Sequence, residues 1–300
     1  MTDGRLPRVR SYDGQGRLEA AFGRFGQGPF EFRGISDVAA TPSGRVVVVD
    51  SRQDRLTYLT SELLPDTMVR LPGVAYRAGS LGEDLLLYMI LTVERGEDAS
   101  RLFRRPVLFH RWTGREVAWS AYALPFVPVE RSYWSSFMRF PFDVAGDSIY
   151  LALSLEYPVT ILSASGDSIG EIGVPSATFQ PFPVLEGGSL SPGAYATQLP
   201  ELLGGSNTIS HLAVVGSRLV LTHGRFGYPS SSKAVSAFGA YHASLDIYDR
   251  HTGVKLYEDI PLPEGSRVLG GGRYLYVLRD RDFPPWRISK LSFREPPPDG

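Results

Sequence analysis

Val9-Arg10-Ser11-Tyr12-Asp13-Gly14-Gln15-Gly16 is a strand running into a tight, Gly-containing turn, and the chain keeps returning to that phrase. It recurs as Phe109-His110-Arg111-Trp112-Thr113-Gly114, as Ile161-Leu162-Ser163-Ala164-Ser165-Gly166 and as Ile247-Tyr248-Asp249-Arg250-His251-Thr252-Gly253. Aromatic and β-branched residues suit a pleated, half-buried backbone, and Gly supplies the turn. A period of roughly 50 residues with several short strands in each is the signature of propeller blades. Gly (32) and Pro (23) punctuate the chain, and almost nothing in it reads as helix.

Working outward, four units of four strands can be read. They lie over residues 35–71, 74–122, 142–172 and 211–260. A shorter unit of three strands follows over 267–293, and two strands, 9–12 and 18–22, precede the first unit. The sum is about 21 strands, where five four-stranded blades need about 20 and six about 24. The fold expected is an all-β propeller on a six-bladed plan with an incomplete N-terminal part. A five-bladed ring closed by its termini is the rival, and a pair of β-sandwiches a more distant one. Residues 1–294 form one propeller domain on this reading, and 295–300 (Glu-Pro-Pro-Pro-Asp-Gly) a disordered tail.

Composition excludes more than it assigns. There is no Cys, so disulfides, zinc–thiolate sites, iron–sulfur clusters and Cys nucleophiles are ruled out. A net charge of -1, from 31 basic and 32 acidic residues, gives no global steering toward nucleic acid or an anionic membrane. The longest apolar run, Leu85-Leu86-Leu87-Tyr88-Met89-Ile90-Leu91, is too short to span a bilayer. Met1-Thr2-Asp3-Gly4-Arg5 has no apolar stretch and is not a signal peptide. Gly-x-Ser-x-Gly is absent, and Gly270-Gly271-Gly272 lacks a phosphate-loop Lys and lies between two strands.

A second motif joins the first unit to what precedes it. Gly28-Pro29-Phe30-Glu31-Phe32 closes a Gly-rich segment, a strand then ends in Asp50, and a polar turn leads to Arg55 and Tyr58. This pattern resembles the NHL-repeat type of six-bladed β-propeller, and looks most like uncharacterised, exported bacterial proteins of that kind. Gly28, Pro29, Glu31, Phe32, Asp50 and Arg55 match it, whereas Phe30 stands where the pattern has Gly. The resemblance implies a structural tie between strands at Asp50 and Arg55, and an exported bacterial protein although no signal peptide is present. It also brings enzymes into view. Lactonases of related propellers hold calcium with Glu, Asn and Asp, and a peptidyl amidating lyase holds zinc with His.

Candidate chemistry falls in three places. Asp37, Tyr76, Asp143 and His211 lie in the first strand of their units, which lines the central channel of a propeller. Two carboxylates and an imidazole there could hold Ca²⁺ or, with more His, Zn²⁺, or could tie one blade to the next through backbone N–H groups. Of the five His, only His211, His223 and His242 lie where they could converge on a zinc ion. Arg131, Tyr133, Trp134, Phe137 and Arg139 form an aromatic–Arg segment between two units, suited to a protein, peptide or carbohydrate ligand, or to plugging the blades together. No wider basic stripe accompanies it, so nucleic acid is not expected. Two irregular stretches, 177–207 and 224–242, are long enough to be functional loops. The sequence thus points first to a non-catalytic propeller scaffold binding through channel-side loops. The alternative is a metal-assisted lactonase or lyase at the channel.

Overall fold

The computed structural model describes residues 7–91, 108–122, 140–154, 156–181, 205–226, 240–263, 266–279 and 287–293. Its described strands form antiparallel meanders in which each strand pairs with the next. A two-stranded hairpin, β1 (Val9–Tyr12) and β2 (Leu18–Phe22), comes first. The first four-stranded sheet is β3 (Ile35–Ala40), β4 (Val46–Asp50), β5 (Arg55–Leu59) and β6 (Pro65–Arg70). The second is β7 (Gly73–Leu81), β8 (Asp84–Leu91), β9 (Leu108–Trp112) and β10 (Val117–Tyr122). The third is β11 (Phe142–Ala145), β12 (Ser148–Leu153), β13 (Glu156–Ser163) and β14 (Ser168–Ile172). The fourth is β15 (Asn207–Val215), β16 (Arg218–Phe226), β17 (Ala240–Asp249) and β18 (Lys255–Pro261). A three-stranded sheet of β19 (Arg267–Gly270), β20 (Leu275–Arg279) and β21 (Arg287–Leu291) ends the order.

Four sheets of four strands and one of three make this an all-β, five-bladed propeller, which corrects the six-bladed expectation and the NHL-repeat resemblance that carried it. The reason lies in the N-terminal hairpin. β1 and β2 pair only with each other among the described strands, so they build no sixth sheet. Instead Val9, Ala20 and Phe22 pack with Phe32, Val48, Leu59 and Leu63 against the first sheet. The hairpin covers apolar surface without inner strands of its own.

The chain divides into two compact units. The first comprises Met1–Phe126, Val144–Ser148 and Ser163–Asp167, and the second Val127–Asp143, Ile149–Leu162 and Ser168–Gly300. In the first, β4 shows why the sheets must stack. Val47, Val48 and Val49 are all fully buried, so both faces of the strand are covered. Val47 and Val49 pack with Leu56 and Tyr58 against Leu85, Leu87, Met89 and Trp112 of the second sheet. Outer strand β6 is mostly exposed, as the last strand of a blade should be. In the second unit, Val220, Leu245 and Ile247 pack against Val268, Leu275 and Val277 of the three-stranded sheet.

Close backbone approach joins those two sheets. Gly272 N–H donates to the Val214 carbonyl at 2.8 Å, and a Cβ on Gly271 would come within 2.3 Å of the same oxygen. The Gly270-Gly271-Gly272 run is therefore a seam between sheets. No helix among the described residues is long and apolar enough to cross a membrane.

Candidate metal centre

The central strands of the fourth sheet place one imidazole among carboxylates. His223 on β16 lies opposite Ile209 of β15 and Ser244 of β17. Directly opposed residues share a face, and side chains alternate along a strand, so Ser244 and Asp246 lie on the face of His223. Asp246 is its diagonal neighbour.

The next pairing slips. Leu245 pairs with Ile260 but Ile247 pairs with Tyr257, so Asp246 faces two residues, Glu258 and Asp259. That two-against-one count is a β-bulge, a device that re-aims side chains. Asp259 sits in it with φ 53°, a left-handed conformation that Asp tolerates better than most residues. Its N–H donates to Asp246 Oδ1 at 3.0 Å.

The three side chains meet. His223 Nε2 lies 3.2 Å from Asp246 Oδ1 and 3.5 Å from Asp259 Oδ1. One ligand atom from each residue lies within 4.8 Å of the others. The side chains of His223 and Asp246 are 1% and 0% exposed, and that of Asp259 is 24% exposed. Neither ring nitrogen of His223 makes an aligned hydrogen bond among the described residues. The imidazole is close to both carboxylates without aiming an N–H at either.

Neighbouring aromatics fix this geometry. Tyr157 O–H donates to Asp246 Oδ2 at 2.9 Å. Phe179 packs edge-on to Tyr157, with centroids 4.9 Å apart, and to His223 at 5.9 Å. Thr178 O–H donates to Asp259 Oδ1 at 2.5 Å, and Tyr248 O–H to the Val174 carbonyl at 2.8 Å. Burial pushes the Tyr157 phenol far above its ordinary value, with the Tyr248 phenol and the Asp246 charge adding to it, so it stays a donor. For Asp246, burial pushes upward, but the His223 ring, the Asp259 N–H and the Tyr157 hydroxyl outweigh it and hold the carboxyl below the usual range. Asp246 is ionised at neutral pH, deep in the protein.

Such a cluster can hold a divalent cation. Ligands about 2.0 Å from a tetrahedral ion lie about 3.3 Å apart, close to the two separations of His223 from its carboxylates, 3.2 and 3.5 Å. Among the described residues, His223 is the basic side chain that pairs with either carboxylate. A protonated imidazole would offset one of two negative charges, and a divalent ion both.

The residues singled out from sequence are placed as follows. Asp37 accepts the N–H groups of Val38 at 2.9 Å and Ala78 at 3.1 Å, and Arg77 lies 3.8 Å away. Asp143 accepts the Val214 N–H at 2.7 Å. Each of these carboxylates thus reaches the first strand of the following sheet. Tyr76 is 41% exposed and stacks, tilted, on Tyr88. His211 lies on β15 and is not part of the group that meets at His223.

Asp50 accepts the N–H groups of Arg33, Gly34 and Arg52 and the Gln53 amide at 2.7 Å. Arg55 donates to the Gly28 carbonyl at 3.3 Å, and Glu31 receives the Gly28 N–H and the Arg24 guanidinium. Phe32 is fully buried beneath this knot. Arg131, Tyr133, Trp134, Phe137 and Arg139 lie outside the described residues, as does the side chain of His242.

Asp246 and Asp259 carry no motif. A signal for Asp246 existed: it interrupts the apolar Leu245 and Ile247 in a central strand, where an acid needs partners. Asp259 gave none, because a bulge depends on register.

No protein-family model matches the chain. No curated protein matches it either. Solved structures do resemble it. A member of the DUF4221 family from Bacteroides vulgatus superposes with TM-score 0.63 at 10% identity, covering 95% of this chain and 87% of that one. A candidate exported protein from Bacteroides fragilis gives 0.57 at 13% identity, covering 93% and 75%. Hydrazine synthase from Kuenenia stuttgartiensis gives 0.46 at 10% identity, covering 85% of this chain, which spans 58% of that one. At these identities the likeness is one of fold alone, and the site must speak for itself.

Proposed function

We propose that this propeller is a metal-assisted enzyme, a lactonase or lyase, with His223, Asp246 and Asp259 holding a divalent transition ion, zinc first. One observation carries the reading: a fully buried imidazole with neither nitrogen in an aligned hydrogen bond faces two carboxylates. One imidazole with two carboxylates suits zinc and its neighbours better than an all-oxygen calcium cage. When bound, the ion would supply Lewis-acid polarisation of a carbonyl and a more acidic water. The chain's own residues do the rest. Asp259, the partly exposed member, borders the approach for substrate, and Phe179 shields His223 from water. β18 also exposes Leu256, Tyr257 and Ile260 around Asp259 in the sequence, which suits a substrate with an apolar portion.

The site differs from the channel-side set of Asp37, Asp143 and His211, since it lies on the second, third and fourth strands of one sheet. A scaffold role for the Arg131–Arg139 segment, toward a protein, peptide or carbohydrate, is a separate proposal that Trp134→Ala tests.

Elemental analysis of protein purified without chelator, with thermal melting in added Zn²⁺ and Ca²⁺, tests the metal. A lactone panel read against His223→Ala tests the activity. Less than about 0.1 equivalent of metal together with no thermal shift overturns the reading.

A further inference from the structure

We infer that Tyr157 decides which metal the His223–Asp246–Asp259 cluster accepts, by restricting Asp246 to a single ligating oxygen. The inference rests on the metal reading above.

Asp246 has two oxygens with different neighbours. Oδ1 lies 3.2 Å from His223 Nε2 and accepts the Asp259 N–H at 3.0 Å, which leaves it a lone pair toward the cluster. Oδ2 accepts the Tyr157 hydroxyl at 2.9 Å. A carboxylate held in this way offers the ion one atom. Calcium takes about 6 to 8 oxygens and commonly a bidentate carboxylate, whereas zinc is satisfied by about four ligands. The phenol therefore favours the smaller, lower-coordinate ion.

Tyr157 is built into place for this task. Its ring meets Phe179 edge-on, with an interplanar angle of 84°. Gly173, at φ 106°, lies so close that a Cβ there would sit 3.3 Å from the Tyr157 ring. The ring is thus clamped on two sides, and its hydroxyl has one charged target.

The test is Tyr157→Phe, which keeps the ring and deletes the hydroxyl. Apo protein and variant are titrated with Zn²⁺ and Ca²⁺ separately, after circular dichroism establishes that the variant folds. Zn²⁺ affinity should fall about tenfold to a hundredfold, the usual cost of losing a partner behind a metal ligand. Ca²⁺ affinity should hold or rise, so the Zn²⁺/Ca²⁺ preference narrows by at least about tenfold. The visible spectrum of Co²⁺-loaded protein should weaken as coordination number rises. A variant with the wild-type preference and an unchanged Co²⁺ spectrum overturns the role of Tyr157 while leaving the metal site standing. Wild type that takes up no metal overturns both. A second measurement needs no variant: X-ray absorption of Zn²⁺-loaded wild type should show Zn–O distances of about 2.0–2.2 Å with no chelating carboxylate, and a chelating signature overturns the inference.

Discussion

His110 and His223 occupy comparable places in different sheets. Each lies on one of the two central strands of a four-stranded sheet, and each is buried, at 0% and 1% exposed. Their cross-strand neighbours differ. His110 faces Leu87 of β8 and Ser120 of β10, beside the apolar cluster of Leu85, Met89 and Trp112. His223 faces Ser244, and two residues further along β17 is Asp246. Burial depresses the His110 pKa, partly opposed by hydrogen bonding with the Met89 backbone. A buried histidine is thus a core residue in one sheet and the nucleus of an acidic cluster in the other. What sets His223 apart among the described residues is a carboxylate one step away on the neighbouring strand, and a bulge that adds a second.

The largest effect should come from removing that carboxylate. Asp246→Ala leaves the Tyr157 hydroxyl and the Asp259 N–H without their acceptor, and His223 without its nearest carboxylate. Stranding two buried donors, at about 1–3 kcal/mol each, costs roughly 2–6 kcal/mol. His110→Gln should cost about 1–3 kcal/mol, the range for stranding a buried polar group. Urea denaturation of the two variants measures both. Equal costs would mean that the carboxylates add nothing to the second histidine.

Next in size is the response to metal. A ligand at a hundred times its Kd stabilises the folded state by about 2.7 kcal/mol. In a domain of 150–250 residues each kcal/mol moves Tm by roughly 2–4 °C. Added Zn²⁺ should raise the Tm of wild type and of His110→Gln alike, and leave His223→Ala unmoved. A shift that survives in His223→Ala would place the ion elsewhere on the protein.

The same contrast shows what the sequence could and could not convey. Strand positions were legible because Gly- and Asp-bearing turns separate short apolar runs, as at Asp13–Gly16 and Asp249–Gly253. The blade count was not, because one strand–turn–strand phrase serves both a blade edge and a packed hairpin. Only the packing of Val9 and Phe22 on the first sheet distinguishes the two. His223 could be singled out as a possible zinc ligand by its position. Its partners are not His211 or His242 but Asp246 and Asp259, brought together by strand register and a bulge. Neither register nor bulge is written in any local pattern. Thr178 and Phe179 come from the irregular stretch that begins near residue 177, whose length alone marked it as unusual.

The smallest effect is a pH dependence, and it belongs to His110. Its ordinary value is 6.5, and burial lowers it in the folded protein. Between the folded value and 6.5 the unfolded chain binds a proton that the folded chain refuses. Stability therefore rises with pH through that window, is complete above it, and is lost as pH falls from the unfolded value toward the folded one. One such group contributes a slope of at most about 1.4 kcal/mol per pH unit. Asp246 acts in a separate window: its carboxyl is held below 3.8, so its contribution is present above that value and disappears only in stronger acid. Urea midpoints of wild type and His110→Gln, taken from about pH 7 to pH 5, should diverge, with the wild type losing stability faster on acidification. Parallel curves would show that His110 accepts its proton without cost in the folded state, and the distinction between a core histidine and a clustered one would have to rest on the carboxylates alone.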